Sequence, residues 1–247
     1  CQYVGGSIWR CGSYRHLHHQ CYATDSKPEI YIEGRRSPEK MEKKLDFFYI
    51  GESYGGNQDW CFDHMMQLGG CGAITACDSS IYLALHHEKK SLYSGNLEKL
   101  DQDEYLYFTE EMKKYLHPRW SGIDKPELYV EGYQNFLKEH QEENLMMTIV
   151  PGEENVAKAK ECIVEQIDKN LPVPILILNH QNPEMDDYIW HWFLLIGYRY
   201  QGDDPLAEGN DFQVQTVTYS EAAWVSLEAL WDTGYKTKGG LIKYHLL

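Results

Sequence analysis

The spacing of apolar residues changes about two thirds of the way along the chain, and this change constrains the fold most. Before it, most segments carry apolar residues three or four positions apart, the spacing of a helix that buries one face. After it, short apolar runs at 173–178, 189–198 and 212–219 have the length of strands. A short helix (SLEALW) and a final strand (GLIKYHL) follow them. Helices followed by mostly antiparallel strands predict an α+β fold.

The first part of the chain contains four amphipathic segments with this helical spacing. A strand is predicted between the third and the fourth, in NLMMTIV (144–150). The stretch LDFFYIG (45–51) is predicted to be a short strand or an extended lead-in. The four predicted helices cover residues 71–86, 101–116, 125–141 and 153–170.

The first 40 residues differ in composition from the rest of the chain. They hold six Lys and Arg against four Asp and Glu, a net charge of +2, whereas the whole chain carries −15. They show neither helical nor strand periodicity and run into the polar stretch IEGRRSPEKMEKK. We therefore expect residues 1–40 to be an N-terminal appendage or pro-segment and residues 41–247 to be the main domain, with Met41 as an alternative start.

Charge and hydropathy argue against two classes of partner. The net charge of −15 opposes nucleic-acid binding, because affinity for phosphate backbones comes from Lys and Arg. No apolar run approaches the ~18 residues of a transmembrane helix, so no membrane span is expected. Seven cysteines, an odd number, indicate mostly reduced thiols and favour the cytoplasm, with secretion or a lipid anchor at Cys1 as alternatives. Composition gives no indication of the oligomeric state.

A cysteine framed by glycines opens the first predicted helix, in GGCGAIT (69–75). A helix N-terminus lowers the pKa of a cysteine because its free N–H groups carry partial positive charge, and the thiolate is the reactive form. Gly69, Gly70 and Gly72 suit a tight turn and a close approach of substrate to the backbone. Cys71 is therefore a candidate nucleophile, with a buried packing residue as the alternative.

A thiol hydrolase also needs a histidine from a distant part of the chain. His191 lies in the apolar strand DDYIWHWFLLIGYRY. A lone imidazole in such a strand is more often a core residue with one hydrogen bond, so the position alone does not make it a base. Trp190 and Trp192 flank it on the opposite face and are expected to pack in the core.

Together, the two segments resemble the papain-like cysteine peptidases. GGCGAITACD, a long helical region, PVPILIL and HWFLLIGY follow the order found in the branch that cleaves double-glycine leader peptides and in its stand-alone relatives. The resemblance implies a papain-like fold, with the nucleophile on a helix of the N-terminal part and the base on a C-terminal antiparallel sheet. It matches Cys71 to the nucleophile and His191 to the base.

Two further positions depart from the family pattern. Thr216 stands where the family has an Asp or Asn that orients the histidine; its hydroxyl can fix the imidazole tautomer but cannot stabilise an imidazolium by charge. Asp211 and Thr218 are the alternatives. Met65 stands where the family has the glutamine of the oxyanion hole. Gln67, which is closer to the cysteine, is the first candidate for that donor, and Gln58 in GGNQDW is the alternative.

The other potential ligands are expected to be structural. Cys61, Cys77 and Cys162 are predicted to pack in the core. The segment CGSYRHLHHQC (11–21) carries Cys and His, which suit Zn²⁺, but its spacing matches no zinc-finger pattern and a solvated loop is expected. We therefore predict no metal and no cofactor.

These features predict thiol-dependent hydrolysis of a peptide or amide bond through an acyl-enzyme intermediate. The expected partner is a peptide or amide substrate. A second hypothesis is a catalytically weak or inactive papain-like module that binds peptides, because positions 65 and 216 lack the family residues. A third is acyl or amide transfer by the same pair, which differs only in the acceptor.

Overall fold

The computed structural model describes residues 40–247, in which helices pack against a seven-stranded antiparallel sheet. This arrangement confirms the predicted α+β class. The predicted N-terminal appendage, including the Cys- and His-rich segment 11–21, lies outside the described residues. Of the helices in the described part, none has the length and apolar composition that crossing a bilayer requires.

The elements of residues 40–247 follow the predicted order, with a helical part before most of the strands. The helices are α1 (His64–Gly69), α2 (Cys71–His86), α3 (Gln102–Met112), α4 (Pro126–Glu139), α5 (Val156–Asp168) and α6 (Leu227–Trp231). The strands are β1 (Lys40–Lys44), β2 (Tyr49–Ile50), β3 (Ser53–Tyr54), β4 (Leu145–Pro151), β5 (Val173–Ile177), β6 (His191–Gln201), β7 (Gln213–Thr218), β8 (Glu221–Ser226) and β9 (Gly239–Leu246).

Most helices begin at a residue whose side chain satisfies a free backbone N–H of the first turn. Asp101 caps α3 at the N–H of Glu104, 3.0 Å away, and Asn155 caps α5 at the N–H of Lys158, 2.9 Å away. Helix α4 instead begins at Pro126, which has no N–H to leave unpaired. These local signals explain why the predicted helices begin within a few residues of the observed ones.

Strand β6 is the centre of the sheet, whose order is β4-β9-β5-β6-β7-β8. One edge of β6 pairs with β5 over His191–Leu195 and then with β1 over Gly197–Gln201, and the other edge pairs with β7. Residues 191–198 are all buried, so both faces of β6 are covered. Helix α2 packs along β6, and this contact brings the two halves of the predicted site together.

Some short elements were not predicted from the sequence, among them β1, α1 and β8. The side chains of β1 are exposed throughout and those of β8 are exposed or half-buried, so neither strand shows the alternation of a half-buried strand. Helix α1 has six residues, too few for a helical period to be recognised. Strand β1 begins at Lys40, within the polar run that was expected to close the N-terminal segment.

Candidate functional site

Cys71 is the first residue of α2 and follows a one-residue junction with α1 at Gly70. A Cβ added at Gly69 would overlap the carbonyl oxygen of Arg119, and one at Gly70 would overlap that of Met66. The glycines on the N-terminal side of the cysteine are therefore required by contacts within the protein. The expected close approach of a substrate to this backbone is not needed to explain them.

His191 is the first residue of β6 and lies opposite Ile177 of β5. The residue before it, Trp190, has a φ of 52° and is 47% exposed, so it turns out of the sheet. The expectation that Trp190 packs in the core is wrong. The same expectation for Trp192 is confirmed, because its ring is 1% exposed and stacks on Tyr129 with centroids 4.4 Å apart.

Cys71 and His191, far apart in the sequence, line the same two spaces. The first is a crevice of about 10 Å³ between α2 and the sheet, which is room for about one water molecule. The second is a wider cleft of about 660 Å³ that is also lined by exposed residues such as Trp190 and Glu221. The two predicted catalytic residues therefore share a crevice and a cleft, and the cleft reaches the surface.

The imidazole of His191 is held by residues of the β7–β8 hairpin. Its Nε2 lies 2.6 Å from the hydroxyl oxygen of Thr218. The ring of Tyr219 stacks on it with centroids 5.0 Å apart and planes inclined by 7°. Because Nε2 is engaged by Thr218, Nδ1 is the ring nitrogen that remains for proton exchange.

This geometry favours Thr218, the alternative, over Thr216 as the residue that orients the imidazole. The hydroxyl of Thr216 lies 3.1 Å from that of Tyr188 and donates to the carbonyl of Ala223. Thr216 lines the wide cleft but makes no hydrogen bond to the imidazole. Asp211, the other alternative, lies outside the cleft, where its carboxylate accepts a hydrogen bond from the side chain of Gln213.

The two candidate glutamines are also separated by the structure. The side-chain amide of Gln67 donates to the carbonyl of Cys61 at 2.8 Å, and Gln67 lines neither the crevice nor the cleft. Gln58 is 7% exposed and lines both spaces together with Cys71. Its Nε2 donates to the backbone carbonyl of Gln67 at 2.8 Å, which fixes the side chain. Geometry therefore favours Gln58 over Gln67.

The protonation of the pair differs from the sequence-based expectation. Burial raises the pKa of the Cys71 thiol, although hydrogen bonds from the backbone amides of Trp192, Gly72 and Cys71 itself oppose this effect. Burial lowers the pKa of His191 to about 4. The expectation that the helix N-terminus gives Cys71 a lowered pKa is wrong for this structure, because desolvation outweighs those amides. At neutral pH, Cys71 is therefore a thiol and His191 a neutral imidazole.

Asp78 is a residue of this region that the sequence analysis missed. It is 5% exposed and lines the crevice with Cys71 and His191. Burial raises its pKa to about 7, against the lowering effect of hydrogen bonds from Gly56 and Tyr105. The available signal was its spacing: Asp78 lies two helical turns after Cys71, on the same face of α2.

The remaining described cysteines pack as predicted. All four cysteines in residues 40–247 are free and buried. Burial raises the pKa of Cys61, Cys77 and Cys162, to about 11 for Cys162. None of these three lines the crevice or the cleft. Cys71 therefore differs from them because it lines both the crevice and the cleft.

No protein-family model matches this sequence, and no curated protein matches it. The resemblance to papain-like peptidases accordingly stays a prediction. Function has to be inferred from the side chains around the cleft.

Proposed function

We propose that the chain is a papain-like thiol hydrolase that cleaves a peptide or amide bond, with Cys71 as nucleophile and His191 as base. The observation that carries this proposal is that both residues line one cleft, while Thr218 occupies Nε2 of the imidazole. A thiol, a base within the same space and a group that fixes the base are the arrangement that nucleophilic catalysis requires. The helix α2 against an antiparallel sheet that carries the histidine supports the papain-like assignment.

In the proposed reaction, the Cys71 sulfur attacks the carbonyl carbon of the substrate as Nδ1 of His191 takes the thiol proton. The tetrahedral intermediate then expels the amine, which receives that proton, and a thioester remains on Cys71. Water attacks the thioester and gives a proton to His191, which returns it to the departing thiolate sulfur. The products are a carboxylic acid and an amine, and both catalytic groups recover their starting state.

The developing oxyanion needs donors that are in place before the reaction. The side-chain amide of Gln58 has two hydrogens, and its hydrogen bond to Gln67 uses one of them. The second N–H and the backbone N–H of Cys71, which hydrogen-bonds to its own thiol, are the proposed donors. Both belong to residues that line the cleft.

Proton transfer during attack fits this site better than a preformed ion pair. A neutral imidazole accepts a proton, and a histidine with a pKa of about 4 is neutral at pH 7. Burial raises the pKa of the thiol, so most of its reactivity has to come from the adjacent base.

A second candidate is a binding module of the same fold without turnover. The specific observation in its favour is burial: Cys71 is 5% and His191 6% exposed, and burial moves both pKa values away from the ion pair. Transfer to an amine acceptor is the third candidate, and it uses the same acyl-enzyme.

The first experiment is alkylation by iodoacetamide at pH 7, with each cysteine quantified by peptide mass spectrometry. We expect Cys71 to react at least about tenfold faster than Cys77, because only Cys71 has a base and an open cleft. In His191→Ala this difference should disappear. Equal rates for Cys71 and Cys77 in the wild type would remove the chemical basis of the proposal and favour the binding module.

Peptide mixtures analysed by mass spectrometry then test for turnover, with Cys71→Ala as the blank. Hydroxylamine detects the acyl-enzyme, since it takes the acyl group from the thioester in place of water and gives a hydroxamate. An added amino acid amide then distinguishes transfer from hydrolysis, since a transferase gives the new amide in preference to the acid.

A further inference from the structure

Asp78 holds a glycine segment that leads into the cleft. Both of its carboxylate oxygens accept hydrogen bonds from the backbone N–H of Gly56, at 3.0 and 3.2 Å. The hydroxyl of Tyr105 donates to one of the same oxygens at 2.8 Å. A Cβ at Gly56 would overlap that hydroxyl and come within 2.7 Å of the carboxylate, so only glycine brings the backbone this close. The segment is therefore fixed to α2 through one buried side chain.

The same glycine segment is bound to the turn that holds the histidine. The carbonyl of Gly56 accepts a hydrogen bond from the backbone N–H of Ser220 at 3.3 Å. The carbonyl of Gly55 accepts one from the Ser220 hydroxyl at 3.5 Å. In the other direction along the chain, Gln58 follows Gly56 by two residues. One backbone segment thus connects Asp78 to both sides of the cleft.

The turn between β7 and β8 needs such support. Tyr219 and Ser220 have φ values of 49° and 62°, in the left-handed region that residues other than glycine seldom occupy. Two-residue hairpins with positive φ at both positions usually contain Asn or Gly, so this turn carries strain that the surrounding structure has to hold. It carries Thr218 and Tyr219, the two residues against the imidazole of His191.

We propose that Asp78 is a positioning residue: through Gly56, its carboxylate fixes Gln58 on one side of the cleft and the Tyr219–Ser220 turn, with His191, on the other. The consequence for catalysis rests on the hydrolase function proposed above. An apolar residue at position 78 would leave the N–H of Gly56 without a partner in a buried place. Both sides of the site would then lose their common support.

Three variants and a control separate this role from general stability. Asp78→Ala removes the acceptor. Asp78→Asn keeps one oxygen that can accept from Gly56, and it is used in place of the alanine variant if that variant does not fold. Tyr105→Phe removes only the second donor. Ser80→Ala is the matched control, since Ser80 is a buried residue of α2 whose hydroxyl lies 2.9 Å from that of Tyr133 and which does not line the crevice.

Hydrogen exchange measured by mass spectrometry tests the positioning without any substrate. We expect the amides of residues 55–58 and 218–221 to exchange at least about tenfold faster in Asp78→Ala, and to a smaller extent in Asp78→Asn and Tyr105→Phe. In Ser80→Ala, these segments should exchange as in the wild type. Unchanged exchange in the folded Asp78 variants would overturn the inference, as would equal acceleration across the whole domain.

The effect on chemistry is measured separately. We expect the alkylation rate of Cys71 in Asp78→Ala to fall about tenfold and kcat on a cleaved peptide about 100-fold, with KM little changed, because small displacements of reacting groups are costly. If wild-type Cys71 shows no enhanced reactivity, the hydrolase proposal fails while the exchange result still decides the role of Asp78. If exchange accelerates but kcat is unchanged in a working enzyme, the positioning is irrelevant to catalysis and the inference is wrong.

Discussion

Cys71 and Cys77 lie on the same helix, and both are buried, yet their surroundings differ in kind. The thiol of Cys77 donates to the carbonyl of Phe108 at 3.9 Å, and Asp78, Cys61 and Glu111 add to burial in raising its pKa. Around Cys71, burial also raises the pKa, but three backbone amides oppose it. Cys71 also lines a cleft that it shares with a histidine.

Burial and a raised pKa therefore do not separate a structural cysteine from a candidate nucleophile in this fold. Cys71 differs from Cys77 because it has backbone N–H donors around its sulfur and lines an open cleft together with a histidine. A helix that packs along β6 supplies the first cysteine with all three, because its N-terminus meets the point where His191 begins the strand.

The strongest test of this comparison removes each thiol by substitution with alanine. We expect Cys71→Ala to reduce peptide cleavage by at least about 10³-fold, because no other cysteine of residues 40–247 lines the cleft. Cys77→Ala should cost stability through the lost buried sulfur but leave kcat within a few-fold of the wild type. Turnover assays at matched concentrations of folded protein check both. Equal losses in the two variants would contradict the distinction between the two cysteines.

The next largest expected effect is that of His191 protonation on the free energy of unfolding. Its pKa is about 4 in the folded protein, against an ordinary value of 6.5. The unfolded chain therefore takes up a proton at a pH where the folded protein does not. The stability that depends on the neutral imidazole is fully present above pH 6.5 and is lost as the pH falls towards 4, by about 3 kcal/mol in all.

Urea unfolding at pH 7.5 and 4.5 measures this loss. The wild type should lose about 2–3 kcal/mol more between the two conditions than His191→Gln, which cannot titrate there. Subtracting the variant removes the contributions of the other histidines. An equal loss in both proteins would mean that His191 is exposed to solvent. The surroundings of Cys71 would then be less buried than those of Cys77.

The helices and most strands were predictable because their apolar periods are long. The position of Cys71 at the start of α2 was predictable because glycines mark the helix start. The orienting threonine could not be chosen from sequence. Thr216 and Thr218 lie two apart on β7, so they share a face, and only the pairing along β6 shows which one meets the imidazole. Thr216 lies opposite Leu195, further along β6 than His191.

Proximity in sequence likewise does not show which glutamine lines the cleft. Gln67 is nearer to Cys71 along the chain, but it lies on α1, whose geometry directs its amide to the carbonyl of Cys61. Gln58 reaches the cleft from a single turn of 3₁₀-helix that is capped by Asn57. Such short elements have no period from which a sequence could reveal them.

Alanine substitutions of the two glutamines test which of them donates to the oxyanion. We expect Gln58→Ala to lower kcat about 10²-fold with little change in KM, because its free N–H is the proposed donor to the oxyanion. Gln67→Ala removes the hydrogen bonds that the Gln67 side chain makes with the carbonyl of Cys61 and with Nδ1 of His64. It leaves the backbone carbonyl that fixes Gln58, so it should cost about 1 kcal/mol of stability and keep kcat within a few-fold. A larger kcat loss in Gln67→Ala than in Gln58→Ala would return the oxyanion donor to α1. Helix α1 ends two residues before Cys71, with Gly70 between them. That result would therefore mean that α1, and not the crevice lined by Asp78, provides what distinguishes Cys71 from Cys77.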